Sequence, residues 1–130
     1  MVDIAASFLS HIIEVVEKQG LSNITPVMGS QASVNLPANS IDMAFICDTY
    51  HHFEYPQKTL ASLHKALKSK GRVIVVEFHK VPGVSNPDRV KHTRESQEEL
   101  ESEMMTGGFH KVAEPKPGLA ENYMVVFAKK

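Results

Sequence analysis

The sequence predicts an α/β layer fold with a mainly parallel sheet and an antiparallel end, and three observations carry that reading. Segments of helical and strand period alternate along the chain. After Asp42 the apolar residues of Ile41–Cys47 run almost continuously, which suits a parallel strand covered on both faces. Two short strand patterns close the chain, His110–Glu114 and Asn122–Ala128, with Pro115, Pro117 and Gly118 between them, as in an antiparallel pair.

Taken in order, Phe8, Leu9, Ile12, Ile13 and Val16 share one helical face, with Ser7 as the expected N-cap and Gly20 as the stop. Ile24–Met28 reads as a short strand after a Ser22-Asn23 turn, and Gly29–Asn39 as a polar loop. Ile41–Cys47 follows as a strong strand. Pro56 is tolerated in a first helical turn, and Leu60, Leu63 and Leu67 then line one face of a helix that Gly71 is expected to end. Arg72–Phe78, with its β-branched run, reads as a central strand broken by Pro82, Gly83, Asn86 and Pro87. Ser96 and Glu99 have capping-box spacing at the head of a helix that ends near Gly107, with Leu100 and Met104 as its narrow apolar stripe.

With 130 residues, 42% hydrophobic and 22% charged, the composition fits one soluble globular domain spanning 1–130. A formal charge of -1, from 14 basic and 15 acidic residues, gives no electrostatic reason to expect nucleic acid or an anionic membrane. No apolar run approaches the ~20 residues that span a bilayer, and the N-terminus lacks the features of a secretory signal, so a cytoplasmic location is expected. Cys47 is alone, which excludes an intramolecular disulfide, and its neighbours Phe45 and Ile46 favour a buried thiol.

The stretch NLPANSIDMAFICDTYHHF, followed after one helix by ALKSKGRVIVVEF, resembles the middle of class I S-adenosylmethionine-dependent methyltransferases of the small-molecule (type 11-like) group. GGFHKVAEP and YMVVFAKK resemble the closing strand pair of the same family. The resemblance implies a partial Rossmann-like methyltransferase fold. It also implies that the family's first strand and acidic, glycine-rich cofactor loop are missing, since no such glycine pattern occurs in the sequence. The chain therefore reads as an N-terminally truncated methyltransferase-like domain.

The same resemblance assigns candidate site residues. Met1-Val2-Asp3 is similar to the end of the family's second strand, so Asp3 would accept the two ribose hydroxyls of S-adenosylmethionine; the alternative is that it only favours the following helix N-terminus. Ser30 and Gln31 follow Gly29 where the family places an acid beside adenine, and an ordinary loop is the alternative. Asp48 and Thr49 would face the cofactor at the carboxyl end of their strand. Tyr50 would stack on a substrate, and His51 and His52 would transfer a proton or serve as loop structure. If both histidines line the site, replacing them with alanine should alter ligand binding and leave the melting temperature nearly intact. No metal is expected: Asp48, His51 and His52 offer oxygen and imidazole together, but adjacent loop histidines seldom reach one ion, and His64, His79, His92 and His110 show no ligand spacing with them. Glu77, near the end of its strand, is expected to pair with a neighbouring lysine, the alternative being that it faces the cleft.

The leading expectation is an S-adenosylmethionine-dependent methyltransferase-like protein acting on a small molecule. The rivals are a non-catalytic small-ligand-binding module and a self-association module. A missing strand would expose sheet edge, so a homodimer is expected, or a rearranged sheet in which Ile24–Met28 pairs with Ile41–Cys47.

Overall fold

The computed structural model describes residues 1–130. Its strands form two separate ladders. β1 (Val2–Asp3) pairs in parallel with β2 (Val27–Met28), and the remaining strands form a sheet in the order β3 (Ile41–Cys47), β4 (Leu67–Phe78), β6 (Asn122–Lys129), β5 (Phe109–Ala113). β3 and β4 run parallel, whereas β6 is antiparallel to both β4 and β5, so the expected parallel sheet with an antiparallel end is what the chain builds. The helices are α1 (Ala6–Lys18), α2 (Pro56–Ala66), α3 (Pro87–His92) and α4 (Gln97–Thr106), with a 3-10 turn at Tyr50–His52.

One face of the larger sheet meets α2 and α4. Leu60, Leu63, Leu100, Met104, Phe109 and Phe127 interlock there, each at most 3% exposed. Burying side chains of this size stabilises by about 1.5–3 kcal/mol each, which is what holds the two helices on the sheet. The capping box of α4 is realised: Ser96 Oγ accepts from Glu99 N–H and Glu99 Oε2 accepts from Ser96 N–H.

Several expectations are corrected. α1 begins at Ala6 and not after Ser7; Ala5 is its cap residue, and the Ala5 N–H is taken by Asp3 Oδ1 at 2.7 Å. α2 ends at Ala66, and β4 starts at Leu67 without a loop. Gly71 therefore lies inside β4, at a bulge where Ile41 faces Leu67 but Met43 already faces Arg72. A Cβ at Gly71 would fall 2.5 Å from a Leu67 methyl and 3.0 Å from the Lys68 carbonyl oxygen, so the fold of that bulge, not a helix end, is what calls for glycine. α3 falls in a segment read as a strand break.

β3 is an edge strand whose outer side bears no partner, and its side chains alternate between the two faces of the sheet as the pleat requires. Ala44 and Ile46 pack on the core, while Met43 (58% exposed) and Phe45 (63%) face outward. Cys47 shares that outward face and is exposed. Partial burial and the Asp48 and Glu77 charges still push its thiol up, keeping it protonated and weakly nucleophilic. The rearranged pairing of Ile24–Met28 with Ile41–Cys47 does not occur: Val27–Met28 pairs with β1, and the outer edge of β3 carries no strand. No helix is long and apolar enough to cross a membrane.

Candidate functional site at the carboxyl ends of the parallel strands

Because β3 and β4 are parallel, their carboxyl ends bring Asp48 and Glu77 to one edge of the sheet. Asp48 stops β3 by adopting φ +48°, a left-handed conformation that aspartate tolerates better than most residues, while its N–H still donates to Val76 O at 3.0 Å. Its Oδ1 accepts from Asn122 Nδ2 at 2.6 Å, at the head of β6. Burial, then the Glu77 charge, raise the Asp48 carboxyl; the Asn122 hydrogen bond, His51 and Arg89 oppose them. Thr49 is exposed and closes the corner by donating to Cys47 O at 2.7 Å.

The 3-10 turn that follows splits three adjacent candidates into different environments. Tyr50 is fully buried; its hydroxyl donates to Glu103 Oε2 at 2.8 Å and its ring lies 5.0 Å from that of Phe53. Burial and the Glu103 carboxylate push its phenol far above the ordinary range. Tyr50 therefore pins the turn to α4 and offers no face for stacking. Its partner Glu103 also takes Arg94 at 2.7 and 2.9 Å, which holds the Glu103 carboxyl below its ordinary value.

His51 turns inward. Its side chain is 1% exposed and Nδ1 sits 2.9 Å from Glu77 Oε2, although the ring N–H is not aimed squarely at that oxygen. Glu77 is fully buried, and it accepts backbone N–H groups from His51 and Phe78 at 3.3 and 2.9 Å; its side-chain partner is this histidine and not a lysine. His52 turns outward and is exposed; partial burial and the His51 and His92 charges lower its pKa, favouring the neutral ring. His92, at the end of α3, comes within ring-centroid distances of 4.8 Å from His51 and 5.1 Å from His52. Nearby, Glu95 is 2% exposed, its oxygens accept no hydrogen bond, and Arg94 Nε is 3.2 Å away; burial raises its carboxyl.

The remaining candidates gather at the carboxyl ends of the smaller ladder. Asp3 Oδ1 accepts from the N–H of Ala5, the residue just before α1, so its carboxylate lies at that helix N-terminus, and Oδ2 makes no hydrogen bond. Gly29 is buried, and a Cβ there would lie 2.9 Å from a Val2 methyl, so the two chains approach too closely for another residue. Ser30 closes a tight turn with Ser33, and Gln31 is exposed and donates through Nε2 to Glu54 Oε1 at 3.0 Å. That hydrogen bond ties the Gly29–Gln31 loop to the loop after His52. Asp3, Ser30 and Gln31 thus form one group and Asp48 to His52 another. An open recess of ≈ 340 Å³ lies outside both, between His79, Val84, Arg89 and Glu121.

Sequence reasoning missed His92, Glu77's role and α3. The signal was present for the helix: Asn86-Pro87-Asp88 is an N-cap followed by proline in the first turn, and Asn86 Oδ1 does accept from Asp88 N–H at 2.9 Å. His92 could not be joined to His51 from spacing, because only the tertiary fold brings them together.

Parallel strands with polar loops at their carboxyl ends, closed by an antiparallel pair in which the last strand inserts beside β4, define the Rossmann-like fold of class I S-adenosylmethionine-dependent methyltransferases. A family profile described as a methyltransferase domain matches residues 1–75, and the chain belongs to that family. It is similar in structure to an S-adenosylmethionine-dependent methyltransferase from Aquifex aeolicus (21% identity, TM-score 0.85), covering 99% of this chain and 67% of that one. A protein from Pyrococcus horikoshii matches at 18% identity and TM-score 0.78, over 99% of this chain and 70% of the other. The cyclase SpnF matches at 14% identity and TM-score 0.79, over 98% and 64%, so the same fold carries another reaction elsewhere. No curated protein sequence matches the chain significantly.

Proposed function

We propose that the chain is the acceptor-side part of an S-adenosylmethionine-dependent methyltransferase site acting on a small molecule. The observation that carries this is the family match over residues 1–75, the stretch that places Asp3, Gly29 to Gln31 and Asp48 to His52 at strand carboxyl ends. The fit to the cofactor is partial. Asp3 Oδ2 is available to a ribose hydroxyl and Ser30 and Gln31 offer polar groups for adenine, but no glycine-rich segment is present to approach the methionine end.

When bound, the cofactor supplies an electrophilic methyl group. Asp48 and Thr49 border its place at the sheet edge, and exposed His52, held toward the neutral form, is the group available to take a proton from an acceptor. His51 and Tyr50 act as positioning residues, since both are buried and engaged. A reducing cytoplasmic setting accords with the exposed, unpaired Cys47.

The second reading is self-association. The bare edge of β3 and the outward Met43 and Phe45 form an unpartnered strip, and covering two such side chains stabilises by about 1.5–3 kcal/mol each. A second copy of the chain is the occupant proposed.

Isothermal titration with S-adenosylmethionine and S-adenosylhomocysteine, run with light scattering on the same sample, tests both. A complete site at about micromolar Kd is worth roughly 8 kcal/mol. Two or three missing hydrogen bonds to the amino-acid end cost on the order of 3–4 kcal/mol after compensation, which moves the affinity toward millimolar. Weak or absent binding by a monomer, strengthened in a dimer, is the expected result. Micromolar binding by a proven monomer would overturn the partial-site reading, and a dimer that binds neither ligand would overturn the methyltransferase reading.

A further inference from the structure

We propose that His51, His52 and His92 form a binding site for one zinc ion, with Glu77 as the residue that positions His51. This goes beyond methyl transfer and does not depend on it; with the ion bound, the lone pair of His52 is taken up by the metal, so the proton-accepting role proposed for His52 belongs to the metal-free form. One ring nitrogen of each histidine lies within 4.8 Å of the others. The rings of His51 and His52 are 4.1 Å apart, and His92 meets both edge-on, so the three imidazoles converge on one point from two segments of the chain.

Three facts point from this cluster to a metal ion. First, like groups have been gathered where mutual hydrogen bonding is absent: neither nitrogen of the buried His51 ring has a hydrogen-bond partner. A buried ring nitrogen without a partner is costly, and a metal ion would satisfy it. Second, one nitrogen of that ring, Nδ1, is 2.9 Å from the Glu77 carboxylate. A carboxylate on one imidazole nitrogen and a metal on the other is the usual arrangement of zinc-bound histidine, because the carboxylate fixes the tautomer and raises the basicity of the ligating nitrogen. Third, Glu77 is fully buried, and its only basic side-chain neighbour within ion-pair distance is His51. A divalent ion on the histidines would offset that charge.

The geometry requires only a small adjustment. Zinc–nitrogen bonds of about 2.0–2.1 Å in a tetrahedral site put ligand nitrogens about 3.3 Å apart, so the cluster must tighten by about 1.5 Å. His52 and His92 are exposed and free to make that movement, while His51 is the fixed member. Three protein nitrogens leave the fourth position to water or to an oxygen of a small ligand. The ion would sit at the sheet edge beside the end of β4, where Phe78 lies 5.9 Å from the His51 ring. Imidazole ligands favour zinc over magnesium or calcium, which take oxygen.

The test is titration of the metal-free full chain with zinc chloride, and with cobalt(II) to read the visible absorption of a tetrahedral site. One ion per chain is expected. His92→Ala, at an exposed position, should weaken binding at least about tenfold and abolish the cobalt band without changing the fold, and Glu77→Gln should weaken it about 10–100-fold. His11→Ala on α1 and Cys47→Ser should leave binding unchanged. Absence of stoichiometric binding, binding left unweakened by His92→Ala, or binding lost in Cys47→Ser would each overturn the proposal.

Discussion

Replacing Tyr50 with phenylalanine isolates one bond that joins the candidate site to the core. The ring stays, so its packing against Phe53 and the sheet is kept, and only the 2.8 Å hydrogen bond to Glu103 Oε2 is lost. Hydrogen bonds to charged groups contribute about 1.5–3 kcal/mol. The lower end applies, because Arg94 still satisfies both Glu103 oxygens, at 2.7 and 2.9 Å. A loss of about 1.5 kcal/mol corresponds to roughly 5 °C in Tm for a domain of this size. Urea unfolding of the wild type, Tyr50→Phe, Glu103→Ala and the double variant forms a cycle in which the coupling between the two residues should be about 1 kcal/mol. A coupling under about 0.3 kcal/mol would mean that the turn is held by packing alone, and the reasoning would fail.

Two further outcomes follow from the buried groups. His51→Ala should destabilise by about 3 kcal/mol, since it strips the only side-chain partner from a fully buried Glu77, whereas exposed His52→Ala should shift the urea midpoint little; equal shifts would refute the inward and outward assignment. This replaces the expectation that both histidines could be removed without cost. The pH dependence should carry a contribution from His64, whose pKa is lowered by burial and then by the Lys129 charge. The unfolded chain takes up this proton below the ordinary histidine value of about 6.5 while the folded chain resists it, so wild-type stability falls relative to His64→Gln as the pH drops through that value. Asp48 and Glu95, with raised carboxyl pKa values, act in the opposite direction, so the variant difference and not the raw curve is the quantity to read. A difference that stays constant between about pH 5 and 7.5 would refute the attribution.

Much of the fold was legible because it is written locally. Ile41–Cys47, Pro56 at the head of α2, the Ser96–Glu99 box and Asn122 as the start of the last strand were all readable from period and capping chemistry. What was not legible depends on neighbours far away in sequence. The apolar run of β3 suggested two covered faces, but coverage depends on what packs above and below the sheet: Ala44 and Ile46 meet the core on one face, while Met43 and Phe45 stay exposed on the other. Tyr50, His51 and His52 are adjacent in sequence, yet a single 3-10 turn sends one into the core, one onto Glu77 and one outward, a division that no residue spacing encodes. The site was legible as a place, the carboxyl end of β3, and not as a set of partners.

The position of β6 between β4 and β5 also constrains how the chain can fold. β5 has no partner except β6, so it cannot join the sheet by itself. The local event is the β5–β6 hairpin, whereas the β4–β6 ladder joins residues as remote as Arg72 and Ala128. The hairpin is the more local of the two pairings, so β5 and β6 are expected to pair before β6 docks against the edge of β4, and that docking is expected to be the slower step. Lengthening the loop between the hairpin strands should slow that step only slightly, since each doubling of a flexible loop costs about 0.6 kcal/mol, while breaking the hairpin pairing at Phe109 or Phe127 should slow it far more.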